Sequence, residues 1–191
     1  MYLKRNQSGF TIVELLIVVV VIGILAAIVI VAYNGITDNA KISAAKSAVT
    51  QTAKLFDLYA IKYGSYPSVS TYTCLSGYDA DNTCHYSSGN DPGRNSTLES
   101  ELQKVGALPS FPADLYPAYN GLILRYASGG ETYNGKLTRY TLTWKLPAES
   151  QDCDMPNSVR VSSGTLSAAP YHNTWTGTTT CFIALTDPNN L

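Results

Sequence analysis

The chain has 191 residues, enough for one domain of ordinary size with its own hydrophobic core. It carries 13 basic and 14 acidic residues, so its net charge is −1, and 14% of its residues are charged. An average soluble domain has about 25% charged residues. This composition excludes a polybasic nucleic-acid-binding module and an acidic disordered segment as descriptions of the whole chain.

An apolar run near the N-terminus is the first predicted element. It covers residues 10–32, reads FTIVELLIVVVVIGILAAIVIVA, and contains Glu14 as its single charged residue. As a helix it spans about 34 Å, which is long enough for the hydrocarbon core of a bilayer. Lys4 and Arg5 precede it, and Lys41 is the first basic residue after it. The positive-inside bias therefore places the N-terminus in the cytoplasm.

Two common kinds of segment share these properties: a cleaved secretory signal peptide and a signal anchor. A signal peptide has a shorter, acid-free apolar region, and Ala26-Ala27 is a poor cleavage site because Ile and Val follow it. Neither segment explains Glu14, since an unpaired carboxylate costs about 2.5–3.5 kcal/mol at mid-bilayer and less near the interface. The acid therefore predicts a partner.

Residues 4–16 resemble the class III signal of type IV pilins and type II secretion pseudopilins. A basic pair is followed by Gly9, Phe10 and Glu14 at the spacing of that family. The resemblance implies that a prepilin peptidase cuts after Gly9, on the cytoplasmic side, and methylates the new N-terminal Phe10. Glu14 is then the fifth residue after the cut, as in the family.

Cleavage would expose an ammonium group at Phe10. In a lipid-free bundle of such helices, Glu14 of one subunit can pair with that ammonium on a neighbour, because attraction between charges rises steeply at low dielectric. Each buried charge would otherwise stay unpaired. The pair would set the axial register between subunits, as a buried polar group does in a coiled coil. We expect Glu14 to be needed for assembly and not for insertion.

The resemblance extends to two further positions in this helix. Gly23 falls where pilins often have Gly, at a site where the helix loosens within filaments, and Tyr33 matches the usual aromatic residue. Val31 stands where a Pro is common in pilins. We therefore expect a more regular helix here, as in many pseudopilins.

Helical signals continue beyond the apolar run. An apolar stripe spaced by three or four residues comprises Ile42, Ala45, Val49, Ala53, Phe56, Ala60 and Tyr63. Asn34-Gly35 interrupts the pattern and allows a bend. Leu58 and Ile61 lie off the stripe and face either other subunits or the remaining core. The Gly-x-Tyr-Pro sequence at 64–67 ends the helix and also resembles pseudopilins and related pilins.

A long connection, 68–119, follows the helix. Within it, Ser-Thr-Leu-Glu at 96–99 predicts a capping box that begins a short helix, and Gly106 is the predicted stop. The apolar face of that helix comprises Leu98, Leu102 and Val105. The Leu-Pro at 108–109 and the Pro-x-Asp at 112–114 resemble the segment before the sheet in such subunits.

Strands are predicted after this connection. Their ranges are 122–128, 136–146, 158–162 and 181–185, with a turn rich in Gly and Asn between the first two. In the second strand, the residues expected to face inward are Tyr140, Leu142, Trp144 and Leu146. Those expected on the opposite face are Arg139, Thr141, Thr143 and Lys145. The expected fold is α+β and pilin-like: a long N-terminal helix whose amphipathic outer half packs on a small antiparallel sheet.

The sequence thus divides into four parts. They are a leader (1–9), a transmembrane and polymerisation helix (10–33), the amphipathic half of the long helix (34–66) and a globular head (67–191). The head combines the connection at 68–119 with a sheet and C-terminal disulfide region at 120–191. The expected location is the inner membrane, as a single-pass precursor, and then an extracellular filament.

Four cysteines lie beyond the apolar run, which fits an oxidising compartment. Three pairings are open, and we favour Cys74–Cys84 with Cys153–Cys181. The second of these resembles the C-terminal disulfide-bounded region of many pilins. On the loop-entropy estimate each bridge contributes about 3 kcal/mol. Zinc binding is the rival, and the sequence has no Cys-x2-Cys pair to support it.

Enzymatic chemistry has little support in the sequence. His85 and His172 lie in polar stretches beside Tyr, outside any metal or nucleophile motif, and no phosphate-binding loop or Gly-x-Ser-x-Gly occurs. We expect solvated loop histidines, no enzyme and no cofactor. Asp79-Ala80-Asp81-Asn82 could hold calcium, yet the Gly and the distal Glu of an EF-hand loop are missing.

Two further patterns, a pair of C-terminal acids and a glycosylation sequon, are weak evidence for a site. Some major pseudopilins bind calcium in their C-terminal region, but the clustered acids there are only Asp152 and Asp154, so that site is not transferred to this chain. Asn95-Ser96-Thr97 is a glycosylation sequon that overlaps the predicted helix cap.

The leading functional hypothesis is a pilin that polymerises through its N-terminal helix into a type IV pilus-like filament. Its implied partners are further copies, other pilins, the prepilin peptidase, an inner-membrane assembly platform and, before assembly, the membrane. One alternative is a pseudopilin that drives type II secretion. Another is a minor pilin that binds DNA for uptake or a surface for adhesion. Without Lys4 and Arg5 the chain has 11 basic and 14 acidic residues, a charge of −3, so no nucleic acid is predicted.

Overall fold

The computed structural model describes residues 9–85, 91–112, 115, 120–133, 135–147, 149, 151–156, 158–162, 165–168, 174–175 and 177–186. Its helices are α1 (Ile12–Tyr63) and α2 (Ser96–Gln103). Its strands are β1 (Thr73–Ser76), β2 (Leu122–Tyr133), β3 (Lys136–Pro147), β4 (Val159–Ser162), β5 (Thr165–Ala168), β6 (Thr174–Trp175) and β7 (Thr178–Leu185). The chain forms two compact units, Met1–Ala40 and Lys41–Leu191.

Helix α1 is continuous over its 52 residues, and neither Gly23 nor Asn34-Gly35 interrupts it. The sequence of α1 contains no Pro, so no position lacks the backbone N–H that the helix needs. The helix ends as predicted: Gly64 adopts φ +82° and its N–H donates to the carbonyl of Ala60 at 2.8 Å. A residue without Cβ is favoured in this left-handed capping position.

The outer half of α1, residues 41–63, supplies one side of the core in the second unit. Ala45, Val49 and Phe56 are fully buried, as the apolar stripe predicts. Leu55 lies beside the stripe and is also buried, which makes the buried face broader than predicted. The last residue of the stripe, Tyr63, is 46% exposed, because its ring lies against Tyr59 and the Lys62 and Lys104 ammonium groups at the surface.

The sheet of the second unit has the strand order β4-β5-β2-β3-β7-β6, and β1 pairs with β2. All pairs are antiparallel except β2 with β5, which is parallel. The central antiparallel strands are β1, β2, β3 and β7. The fold is therefore α+β and pilin-like, with a long N-terminal helix and an antiparallel sheet, as the sequence predicts.

Several predicted strand limits are wrong. Strand β2 runs to Tyr133, through the predicted Gly-rich turn, with an irregularity in pairing between Tyr126 and Glu131. Strand β7 begins at Thr178, three residues earlier than predicted. Ser158 forms an isolated bridge to Ile183 just before β4. The short strands β1, β5 and β6 were not predicted, because two to four residues carry too little periodicity to be recognised.

One face of β3 differs from the prediction. Leu142, Trp144 and Leu146 are buried in the main core as expected, but Thr141, Thr143 and Lys145 on the other face are buried too. The strand partners of Thr141 and Thr143 on β7 are Ala184 and Phe182. These two pack with Val159 of β4 and Leu166 of β5 in a second apolar cluster. That cluster covers the face predicted to be open, and burial lowers the pKa of Lys145 to about 8.

The N-cap of α2 lies one residue earlier than predicted, and the helix begins at Ser96. Asn95 is the N-cap, and its side chain accepts from the N–H of Leu98 at 3.0 Å, so the predicted capping box at 96–99 is wrong. Glu99 does not act as the third residue of a capping box, because its carboxylate accepts from the Arg94 guanidinium. Leu98 and Leu102 are buried as expected, and the helix ends at Gln103 before the predicted stop.

Candidate functional site

The start of α1 is built around Thr11 and Glu14. The Glu14 carboxylate accepts from the backbone N–H of Thr11 at 2.9 Å and from its hydroxyl at 2.7 Å, and the Glu14 N–H donates back to the Thr11 hydroxyl at 3.2 Å. This is a capping box, in which cap and third residue satisfy each other's orphan donors. The Thr-x-x-Glu spacing is visible in the sequence, but this role of Thr11 was not predicted.

The apolar segment that follows, residues 12–33, is exposed along its whole length. Its large hydrophobic side chains have exposed fractions between 48% and 86%, and Phe10 just before it is 81% exposed. Its mean hydropathy reaches 3.6, and α1 is the described helix that is long and apolar enough to span a membrane. Apolar surface on this scale is stable only when lipid or other apolar helices cover it.

Gly23 and Tyr33 lie along the same exposed segment, and the structure does not bring either of them to Glu14. A Cβ added at Gly23 would meet no atom within 4 Å, so nothing in the single chain requires glycine there. Tyr33 is 65% exposed, and its carbonyl accepts from the Thr37 hydroxyl at 3.2 Å. Roles for both residues in assembly stay predictions.

The second unit holds the disulfides that the sequence analysis favoured. Cys74–Cys84 closes a loop of the long connection, and Cys153–Cys181 ties the residues after β3 to β7. All four residues are completely buried. No unpaired cysteine occurs in the chain, so the structure leaves no thiol for the rival zinc site.

His85 is not the solvated loop histidine that we expected. Its Nδ1 lies 2.9 Å from a carboxylate oxygen of Asp91, and its Nε2 lies 3.0 Å from one of Asp79. The Asp91 contact and, to a smaller extent, the Asp79 contact raise the pKa of His85. The side chain is still 39% exposed, so this group links two loop segments at the surface. His172 lies outside the described residues.

Asp79, the first of the candidate calcium ligands, accepts hydrogen bonds from its own loop. Asp79 Oδ1 accepts from the N–H groups of Asp81 and Thr83 and from the Thr83 hydroxyl, each at 3.0 Å. These bonds, with that of His85, lower the pKa of Asp79. Among the residues that the structure describes, no group of three or more His, Cys, Asp or Glu side chains is arranged to hold a metal ion.

Residues 4–30 match the family described as the prokaryotic N-terminal methylation motif. The chain is similar to the type II secretion system core protein G of Pseudomonas aeruginosa, with 42% identity over 34% of this chain and 46% of that protein. It is similar to a fimbrial protein of Neisseria meningitidis serogroup A, with 40% identity over 34% of this chain and 38% of that protein. A type IV major pilin protein, PilE1, of Neisseria gonorrhoeae is 39% identical over 34% of this chain and 39% of that protein.

The chain spans less than half the length of these relatives. The likeness covers 65 to 72 residues, about a third of this chain. No solved structure matches the chain significantly.

Proposed function

We propose that this chain is a structural pilin, processed after Gly9, N-methylated at Phe10, and assembled through its N-terminal helix into a type IV pilus-like filament. The observation that carries the proposal is the methylation motif at residues 4–30, together with the exposure of the apolar side chains of α1 in the described part of the chain. In this proposal the membrane covers them first, with the N-terminus in the cytoplasm, and neighbouring subunits cover them in the filament.

Glu14 has two successive partners in this proposal. In the single chain it caps its own helix through Thr11, at 2.7 and 2.9 Å. In the filament the carboxylate also pairs with the Phe10 ammonium of a neighbouring subunit. The low dielectric of a lipid-free bundle strengthens that ion pair. The capping box holds the carboxylate at the helix start before the neighbour arrives, so little side-chain entropy remains to be lost.

The processing partners follow from the same motif. A prepilin peptidase would cut between Gly9 and Phe10 and methylate the new N-terminus, and an inner-membrane platform would extract the subunit from the bilayer. Gly9 and Phe10 are exposed and precede the first helical residue, Ile12, so the bond to be cut is outside the α1 hydrogen-bond ladder.

A pseudopilin of a type II secretion system is the second candidate. The 42% identity to core protein G favours it, and so does a helix that passes Gly23 and residue 31 without interruption. The two candidates share processing and assembly and differ in where the filament ends. Surface filaments at native expression levels of the secretion genes favour the pilin. Loss of protein export when the gene for this chain is deleted favours the pseudopilin.

Electron microscopy of sheared surface filaments, with mass spectrometry of their subunits, tests the proposal. We expect this chain as the main component, beginning at methylated Phe10. Recovery of the uncleaved chain alone, in the inner membrane, would overturn processing and assembly together.

Three substitutions separate the two partners of Glu14. Glu14→Gln keeps an acceptor for Thr11, since Gln also serves in capping boxes, but removes the charge. Glu14→Ala removes both, and Asp38→Ala removes an exposed acid of the same helix as the matched control. We expect normal membrane levels for all three, filaments for Asp38→Ala, and a loss of filaments of about tenfold or more for both Glu14 variants. Normal filament yield from Glu14→Gln would refute the charge pairing.

A further inference from the structure

A polar cavity of about 440 Å³ lies in the head between the strand β1, helix α2 and the segment after it. Its volume falls in the range of small-molecule sites, about 300–1,000 Å³. The apolar part of its lining comprises Leu75, Leu108, Pro109 and Phe111, and the polar part comprises Ser76, Tyr78, Arg94, Glu99, Gln103 and Ser110. The proposed filament function uses none of these side chains.

The walls of the cavity are fixed before any ligand arrives. The Ser76 hydroxyl donates to the carbonyl of Pro109 and accepts from the N–H of Phe111, both at 3.0 Å, which ties β1 to the opposite wall. Gly77 has φ +74°, and a Cβ there would come within 2.9 Å of the Phe111 ring. On the third side, Tyr59 of α1 donates to Glu101 of α2 at 2.7 Å and holds that helix in place.

The charges in the cavity cancel. The described lining has one cation and one anion, Arg94 and Glu99, and the guanidinium donates to both carboxylate oxygens at 2.6 to 2.9 Å. The Glu99 side chain is only 7% exposed, so its charge is neutralised where water is scarce. A phosphate or carboxylate ligand would have to compete with Glu99 for Arg94, which disfavours anions.

Hydrogen-bonding capacity remains after that pairing. Arg94 uses its Nε and Nη2 groups on Glu99, so N–H groups of its five-donor fork are left over. Within the described part of the chain, the Gln103 amide and the Tyr78 and Ser110 hydroxyls have no hydrogen-bond partner. Tyr78 also offers an aromatic ring, over which the Arg94 guanidinium lies at 5.0 Å from the centroid. The cavity thus combines donors, acceptors and ring carbon without net charge.

We propose that this cavity binds an uncharged pyranose unit of a carbohydrate. Each sugar hydroxyl both donates and accepts, which matches the mixed set of Gln103, Tyr78, Ser110 and the free edge of the Arg94–Glu99 pair. The C–H groups of the ring match Tyr78 and Leu108. The proposal goes beyond the filament function and does not require it, because the cavity lies wholly within the head.

Saturation-transfer NMR on the full chain tests the proposal, in a polyoxyethylene detergent so that no detergent headgroup is a sugar. The neutral probes are methyl β-D-galactopyranoside, methyl β-D-glucopyranoside and N-acetylglucosamine, and the charged probes are D-glucuronate and inorganic phosphate. We expect transfer to at least one neutral probe and none to phosphate. Transfer to the charged probes alone, or to no probe, overturns the proposal.

Two variants locate the binding. Gln103→Ala should weaken binding of the neutral probe about tenfold, and Tyr78→Phe, which keeps the ring, should weaken it by a smaller factor. Gln51→Ala is the matched control, since Gln51 is an exposed helical glutamine outside the cavity that contacts Ser47. Unchanged binding in Gln103→Ala overturns the site. Filament yield of the same variants is measured separately, so failure of assembly and failure of sugar binding are distinguishable.

Discussion

The apolar segment and the outer half belong to one helix, yet the apolar side chains of the first are exposed and those of the second are largely buried. In the apolar segment the large hydrophobic side chains are all at least 48% exposed, whereas Ala45, Val49 and Phe56 of the outer half have no exposed surface. The difference lies in what else the chain provides. Strands β2, β3 and β7 supply apolar partners to the outer half within its own unit. In the described part of the chain the apolar segment has no such partners, and under the proposed function neighbouring subunits supply them.

The largest effect should come from a matched pair of leucines in α1. Leu55 is 7% exposed and Leu25 is 57% exposed. We expect Leu55→Ala to lower the free energy of unfolding of the head by about 2–3 kcal/mol, because it leaves a cavity in the core. Leu25→Ala should leave that quantity unchanged.

Urea unfolding in detergent measures both leucine variants, with tryptophan fluorescence, to which buried Trp144 contributes, as the reporter of the head. Equal destabilisation by the two substitutions would contradict the comparison, since it would mean that the apolar segment contributes to the head.

The two helix caps test the same difference between the head and the exposed part of α1, with a smaller expected change in the free energy of unfolding. Asn95 caps α2 inside the head, and Thr11 caps the exposed start of α1. Asn95→Ala should cost the head about 1 kcal/mol, a common value for a lost cap. Thr11→Ala should leave the unfolding of the head unchanged and speed amide hydrogen exchange in the first turn of α1. Faster exchange confined to α2 in Thr11→Ala would contradict this assignment.

The smallest effect concerns His85, whose charge has partners within the head. Asp91 and Asp79 raise its pKa above the ordinary 6.5. Their contact therefore stabilises the head fully below pH 6.5, and this contribution is lost as the pH rises through the raised folded-state value. His85→Gln should lower the Tm by more at about pH 5.5 than at about pH 8.5. An equal decrease at both pH values would show that the charge contributes nothing.

The N-terminal helix and the inner face of the sheet were predictable because their signals are local. Apolar residues at helical spacing placed α1, and Leu142, Trp144 and Leu146 alternate as a buried strand face should. The opposite face was wrongly predicted as open, since Thr141 and Lys145 are polar and the strands that cover them, β4 and β5, are short. Long-range cover of this kind leaves no periodic trace in the covered strand.

The polar sites of the head were less predictable. Asn95 and Ser96 are both good caps, and the choice between them depends on Glu99, which pairs with Arg94 and is lost to the predicted capping box. The His85 contacts join residues six positions away on either side, which only the folding of the connection brings together. The cavity depends on the same loop geometry, so no motif indicated it.

The position of β7 in the sheet has a consequence for biosynthesis. This strand, Thr178–Leu185, pairs with β3 over eight residues and carries Cys181 of the second disulfide. The ribosome makes it more than a hundred residues after the outer half of α1. At 5–20 residues per second that interval is on the order of ten seconds. During this time the nascent core surface of α1 lacks its final sheet, so a chaperone has a defined window in which to shield it.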